Sequence, residues 1–248
     1  MTDANQSSQS PFLRVLDRPY DEAQDGLFSS EPHDFGFELD SFQKHAISAI
    51  KREENVLVTA HTGSGKTVPA IFGIADSLAK NRKVIYTSPI KSLSNQKLFE
   101  LKRKFPDVGI LTGDIKFNPD AQCVIMTTEI LRNILYQQES QHVDITEVDK
   151  VIFDEVHYIN DPDRGRVWEE CIILMPPEIT LIMLSATIDK AEEFAGTLTL
   201  VFLAEKVFQT VLSSKVHVSD IITLSLKSTI PEASKIDSSE PYSTIPDV

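Results

Sequence analysis

Between residues 35 and 187 the apolar and polar positions fall into two alternating patterns. One is a set of short runs that are almost wholly apolar. They are Val56-Leu-Val-Thr-Ala60, Lys83-Val-Ile-Tyr-Thr-Ser88, Val108-Gly-Ile-Leu-Thr112, Cys123-Val-Ile-Met-Thr127, Val151-Ile-Phe-Asp154 and Thr180-Leu-Ile-Met-Leu-Ser185. Their length and β-branched content predict buried strands. Longer stretches between them place apolar residues three and four apart and predict helices over 40–52, 66–80, 92–105 and 128–137. Strands apolar on both sides, joined by helical crossovers, predict an α/β fold with a parallel sheet covered on both faces. Such sheets bind ligands beyond the carboxyl ends of their strands.

The pattern breaks at both ends. Residues 1–34 are polar and hold seven acids against Arg14 and Arg18, which predicts a flexible acidic extension. The strand–helix pattern supports one domain over 35–200. The segment 201–248 diverges from it: residues 197–226 carry enough Leu, Val and Thr for strands, and 228–248 read as a loose, disordered tail.

Composition narrows the class. Of 248 residues, 41% are hydrophobic and 25% charged, an ordinary globular balance. No apolar run approaches the roughly 18 residues that span a bilayer, so no membrane partner is expected. The first residues lack a secretory signal, and with only Cys123 and Cys171 the chain is expected to be intracellular and reduced. Nothing resembles a zinc cluster or a nucleophilic triad. A net charge of −13 opposes nucleic-acid binding by the chain as a whole. Between residues 91 and 104, however, Lys91, Lys97, Lys102, Arg103 and Lys104 face only Glu100, which leaves room for a local basic track.

Two segments carry recognisable chemistry. Thr62-Gly-Ser-Gly-Lys-Thr67 follows a predicted strand and opens a predicted helix, the context of a phosphate-binding loop. Gly63 and Gly65 let the backbone turn its N–H groups towards phosphate oxygens, together with those of Thr62 and Ser64. Lys66 supplies charge to the β and γ phosphates, and the Thr67 hydroxyl is a magnesium ligand. Ala60 stands where the general pattern has its first glycine. Asp154-Glu155 ends an apolar strand, where idle carboxylates would be costly. Asp154 is expected to hold magnesium and Glu155 to orient or deprotonate a water, which makes an ATPase the minimum reading.

His157 turns the pair into Asp-Glu-Val-His, and here the sequence resembles the superfamily 2 helicases with a DExH box, in particular the superkiller-type, exosome-associated RNA helicases. The resemblance runs from about Phe37 to Thr187. It implies a RecA-like domain that binds ATP and Mg²⁺, with Phe37 on the adenine face and Gln43 on its edge. It implies nucleic-acid contacts from three motifs: Pro89, Lys91, Gln96 and Lys97 in the first, Thr112 and Gly113 in the second, and Thr128, Glu129 and Arg132 in the third. Each follows a strand and offers a helix start or small hydroxyls, which suit phosphate contacts without base preference. Ser185, Ala186 and Thr187 resemble the motif that couples hydrolysis to strand movement, with His157 as its link to the nucleotide. Trp168 and Tyr158 are expected to be buried rather than stacked on bases.

The family's Gln-x-x-Gly-Arg-x-Gly-Arg run, borne by a second RecA-like domain, is absent. The sequence therefore reads as one half of a motor, a truncated, frame-shifted or excerpted chain. The partners implied are single-stranded RNA or DNA, a second RecA-like domain and an RNA-decay complex. A DNA translocase and a non-catalytic half-helicase that binds RNA or a partner are the alternatives.

Overall fold

The computed structural model of the chain describes residues 15–16, 18–137, 143–186 and 208–213. Residues 1–14 and 214–248, with Thr187 of the coupling motif, lie outside the described residues.

In chain order the elements are β1 (Val15–Leu16), α1 (Glu22–Asp25), α2 (Ser41–Lys51), β2 (Asn55–Thr59), α3 (Thr67–Ala79), β3 (Lys83–Ser88) and α4 (Lys91–Lys102). There follow β4 (Val108–Leu111), β5 (Lys116–Phe117), β6 (Cys123–Thr127), α5 (Thr128–Gln137), β7 (Val148–Phe153), α6 (Gly165–Ile173), β8 (Thr180–Ser185) and β9 (Phe208–Ser213). Short 3₁₀ turns cover Ile145–Glu147 and Val156–Asn160. The six strands expected from the apolar runs are all present, and so are the four expected helices.

The strands form one sheet in the order β1-β9-β2-β8-β7-β3-β6-β4-β5. Every pairing is parallel except the hairpin of β4 with β5 at one edge. Alternation within each strand divides the core in two. Val56, Val58, Val84, Tyr86, Ile152 and Ile182 pack with Phe42, Phe72 and Leu101 of α2, α3 and α4. Leu57, Ile85, Val151, Phe153 and Met183 pack on the other face with Leu131 of α5 and Trp168 and Cys171 of α6. With both faces covered, the central strands are apolar along most of their length, which explains the near-continuous runs.

Two segments that the sequence set apart from the domain contribute to it. From Arg18 onward the acidic stretch lies against α2: Tyr20 hydrogen-bonds Ser48 at 3.1 Å and its ring meets His45. His45, itself buried, faces the Arg18 carbonyl through Nε2 at 3.1 Å. From the divergent C-terminal stretch comes β9, which pairs with both β2 and β1. At the amino end of the sheet, Lys150 is fully buried and donates to Asp76 at 2.7 Å, to Ser77 at 3.2 Å and to Asp149. Such a buried cation is tolerated because each of its protons meets an oxygen.

Candidate active site

The loops after β2, β3, β6, β7 and β8 all leave the same edge of the sheet, because these strands run parallel. Residues far apart in sequence therefore converge there. After β2 the chain turns at Gly63 (φ 88°) and Gly65 (φ 84°), conformations that L side chains rarely adopt. Apart from its chain neighbours, no atom of the described residues lies within 4 Å of where a Cβ of Gly63 would sit, so the loop leaves open space in front of its backbone. Ser64 closes the turn by donating its N–H at 3.2 Å and its hydroxyl at 2.8 Å to the His61 carbonyl. Lys66 stands at the start of α3, and the half-buried Thr67 is the first residue of that helix.

The carboxylate pair follows β7. The Asp154 N–H continues the ladder to Thr87 O at 3.1 Å, after which Glu155 adopts a left-handed conformation (φ 55°, ψ 46°). This rare geometry for a non-glycine residue ends the strand abruptly. Asp154 is 7% exposed and accepts the Tyr86 hydroxyl at 2.6 Å and the Glu155 N–H at 3.0 Å. Burial raises its pKa above the ordinary carboxylate value. Glu155 reaches back to Lys66, whose ammonium lies 3.0 and 3.1 Å from its two oxygens.

His157 lies beyond Glu155, with Nδ1 3.4 Å from Glu155 Oε2 and 3.4 Å from the Ala186 N–H after β8. Burial lowers the imidazole pKa, and Nδ1 accepts the Ala186 N–H. Ser185 beside it is buried and its hydroxyl has no hydrogen-bond partner among the described residues. Thr128, at the start of α5, is the other buried hydroxyl in that condition. Unmatched buried hydroxyls are uncommon and call for an explanation.

The oxygen donors of Thr67 and Asp154 suit a hard cation held by one or two protein ligands with phosphates and water. Among the described residues no cluster of three or more His, Cys, Asp or Glu forms a self-sufficient metal cage. The donor set therefore fits magnesium brought with a nucleotide.

Other predicted residues are placed as follows. Phe37 is 57% exposed, with an edge against Phe35. Gln43 is buried; its Nε2 donates to Gly65 O at 3.3 Å and its Oε1 accepts the Asp40 N–H at 2.9 Å, so it buttresses the phosphate loop. Lys91 and Asp114 form an ion pair that joins the loops after β3 and β4 near Gly113. Thr112 is buried and caps that second loop by accepting the Ile115 N–H at 3.1 Å. Gln96 is exposed on α4, whereas Lys97 is drawn to Glu100 at 3.0 Å and to the Tyr86 ring. Pro89 is buried and its carbonyl accepts Arg164 Nη1 at 3.4 Å. Arg132 lies 3.6 Å from Glu170, and Glu129 is half-buried on the same helix. Trp168 is buried against Phe153, as expected, while Tyr158 is half-buried beside the His157 ring. Tyr86 was not among the predicted site residues, because a tyrosine in an apolar run reads as core.

The model of the DEAD/DEAH box helicase family matches residues 40–194. The chain belongs to that family. Among curated helicases it is 53% identical over 165 residues to ATP-dependent RNA helicase mtr4 of Schizosaccharomyces pombe, covering 66% of this chain and 14% of that protein. It is 51% identical over 174 residues to antiviral helicase SKI2 of Saccharomyces cerevisiae, covering 69% of this chain and 13% of that one. The human exosome RNA helicase MTR4 is 51% identical over 162 residues, covering 65% and 15%. The chain thus spans about a seventh of the length of these helicases, which are of the superkiller and MTR4 type that the motifs resemble. The helicase fold has a structural counterpart in DUF1998 helicase MrfA bound to DNA, with a TM-score of 0.60 and 18% identity over 82% of this chain and 32% of that one. Among the described residues, no helix is long and apolar enough to cross a membrane.

Proposed function

We propose that this chain is the ATP-binding motor domain of a DEVH-box RNA helicase, whose ATP hydrolysis is driven by single-stranded RNA. The observation that carries the reading is the meeting of Lys66, Glu155 and Asp154 at the carboxyl edge of β2 and β7, with His157 extending the cluster to Ala186.

In this reading the phosphate loop orients the triphosphate with its N–H groups, and Lys66 leaves Glu155 to pair with the β and γ phosphates. Thr67 and Asp154 hold magnesium, which when bound neutralises phosphate charge during transfer. Glu155, released from Lys66, aligns the attacking water and takes its proton. His157 stands between that carboxylate and the Ser185-Ala186-Thr187 segment and accepts the Ala186 N–H, so a change at the γ position is felt there. Phe37 covers the adenine. Lys91, Gln96, Thr112, Gly113, Thr128, Glu129 and Arg132, with Pro89 and Lys97 shaping the same rim, form the track for the nucleic-acid backbone.

A second RecA-like domain, in cis or in trans, completes the motor by supplying arginines to the phosphates, a contribution worth about 10³–10⁵ in rate. An RNA-decay assembly is the partner class that the name of the human exosome RNA helicase suggests. The test is ATP hydrolysis by the purified chain with single-stranded RNA or DNA of equal length. Stimulation by RNA over DNA supports the reading. Equal stimulation points to a nucleic-acid translocase without RNA preference and refutes the substrate. Failure to bind ATP refutes the site.

A further inference from the structure

Tyr86 lies at the middle of a contact that joins two functions of the domain. It sits on β3, is fully buried, and directs its hydroxyl at Asp154 Oδ2 over 2.6 Å. The other Asp154 oxygen is occupied by the backbone N–H of Glu155. No other side chain among the described residues hydrogen-bonds Asp154. On the α4 side of the ring, the Lys97 ammonium lies 5.8 Å from its centroid and is itself anchored on Glu100. The ring is thus gripped from a helix on the nucleic-acid rim while its hydroxyl holds a carboxylate of the nucleotide site.

The hydroxyl is the donor of this bond, since a carboxylate oxygen can only accept. A phenylalanine would pack as well in this core. The hydroxyl therefore has to be explained by what it touches. A carboxylate with one freely turning oxygen could rotate about χ2; with Tyr86 on one oxygen and the Glu155 N–H on the other, it cannot turn without losing both bonds.

We propose that Tyr86 is a positioning residue that fixes the Asp154 carboxylate in the orientation required to hold magnesium, and that its ring links this orientation to α4. The inference rests on the reading of Asp154 as a magnesium ligand. Partners of this kind around metal ligands typically change metal affinity about 10- to 100-fold when removed.

The test compares wild type, Tyr86→Phe and Asp154→Asn in the full chain by fluorescent-ATP binding, with Mg²⁺ and with EDTA. The readout is the gain in nucleotide affinity that Mg²⁺ confers. Tyr86→Phe is expected to bind nucleotide normally in EDTA and to lose about tenfold of the magnesium gain. If Asp154→Asn abolishes the gain and Tyr86→Phe retains it, the proposal alone is overturned. If Asp154→Asn also retains it, the magnesium reading falls and takes the proposal with it. Should Tyr86→Phe fail to fold, 3-fluorotyrosine at position 86 keeps both volume and hydroxyl. Its ¹⁹F resonance is expected to shift when Mg²⁺ is added to nucleotide-loaded protein, and an unmoved resonance overturns the proposal.

Discussion

Replacing Glu155 by Gln should have two opposite effects: slower hydrolysis and tighter nucleotide binding. The substitution keeps size and shape and removes one charge. The Lys66 ammonium sits 3.0 and 3.1 Å from the Glu155 oxygens, with the side chains 11% and 26% exposed. At 3 Å the Coulomb attraction is about 1.4 kcal/mol at the permittivity of water and about 5.5 kcal/mol at an effective value of 20. Desolvation of both groups and loss of side-chain freedom offset most of it, and measured pairs of this kind retain about 1 kcal/mol. A triphosphate must draw Lys66 out of this pair, so Glu155 weakens binding by about that amount, or roughly fivefold. Hydrolysis should meanwhile fall by about 10²–10⁴, the usual worth of a positioned base. Equilibrium titration with a non-hydrolysable fluorescent analogue in Mg²⁺ reads the first effect, and single-turnover phosphate release the second. Equal or weaker affinity in the variant would refute the Lys66–Glu155 latch. Unchanged hydrolysis would refute the base.

Other perturbations probe the same framework. Lys66→Ala should abolish measurable ATP binding in the same titration; unchanged affinity would show that the phosphate site lies elsewhere. Lys150→Met should remove the buried cation shared by Asp76 and Asp149, leaving them Lys80 and Ser77 as partners, and cost about 1.5–3 kcal/mol in urea unfolding, and a loss below about 0.5 kcal/mol would contradict the assigned burial. The Arg18 hydrogen bonds lower the Asp25 pKa from 3.8 to about 2. Between those values the unfolded chain binds more protons, so the stability from this pair is complete above pH 3.8 and lost as pH falls towards 2. Asp25→Asn should flatten that part of the stability–pH curve, and a wild-type slope in the variant would remove Asp25 as its source.

The parts of this fold legible in the sequence were those that depend on short-range pattern. Strands such as Cys123–Thr127 are buried on both faces and announce themselves as apolar runs, and the phosphate loop combines glycines, a lysine and a hydroxyl within six positions. Long-range pairing was less visible. β9 pairs with β2, about 150 positions earlier, and with β1, and nothing local in Phe208–Ser213 names either. The Tyr86–Asp154 bond spans 68 positions and joins a residue that reads as core to one that reads as catalytic. Gln43 illustrates a different limit: the family resemblance set it on the adenine edge, and nothing in the sequence showed that its amide also bonds Gly65 and Asp40. α6 went unpredicted because Gly165 begins it, at a point where the backbone passes so close to Ile159 that a Cβ would sit 2.0 Å from its carbonyl oxygen.

The place of β9 bears on how the domain can be handled. With β9 and β1 alongside, the strand that launches the phosphate loop is flanked on both sides, by β8 and by β9. Cutting the chain before Phe208 would bare the N–H and C=O row of β2 along its whole length. Exposed rows of that kind recruit strands from other chains. A shortened domain would thus carry its nucleotide loop on a self-adhesive rim, and loss of ATP binding in such a fragment would report clumping rather than chemistry.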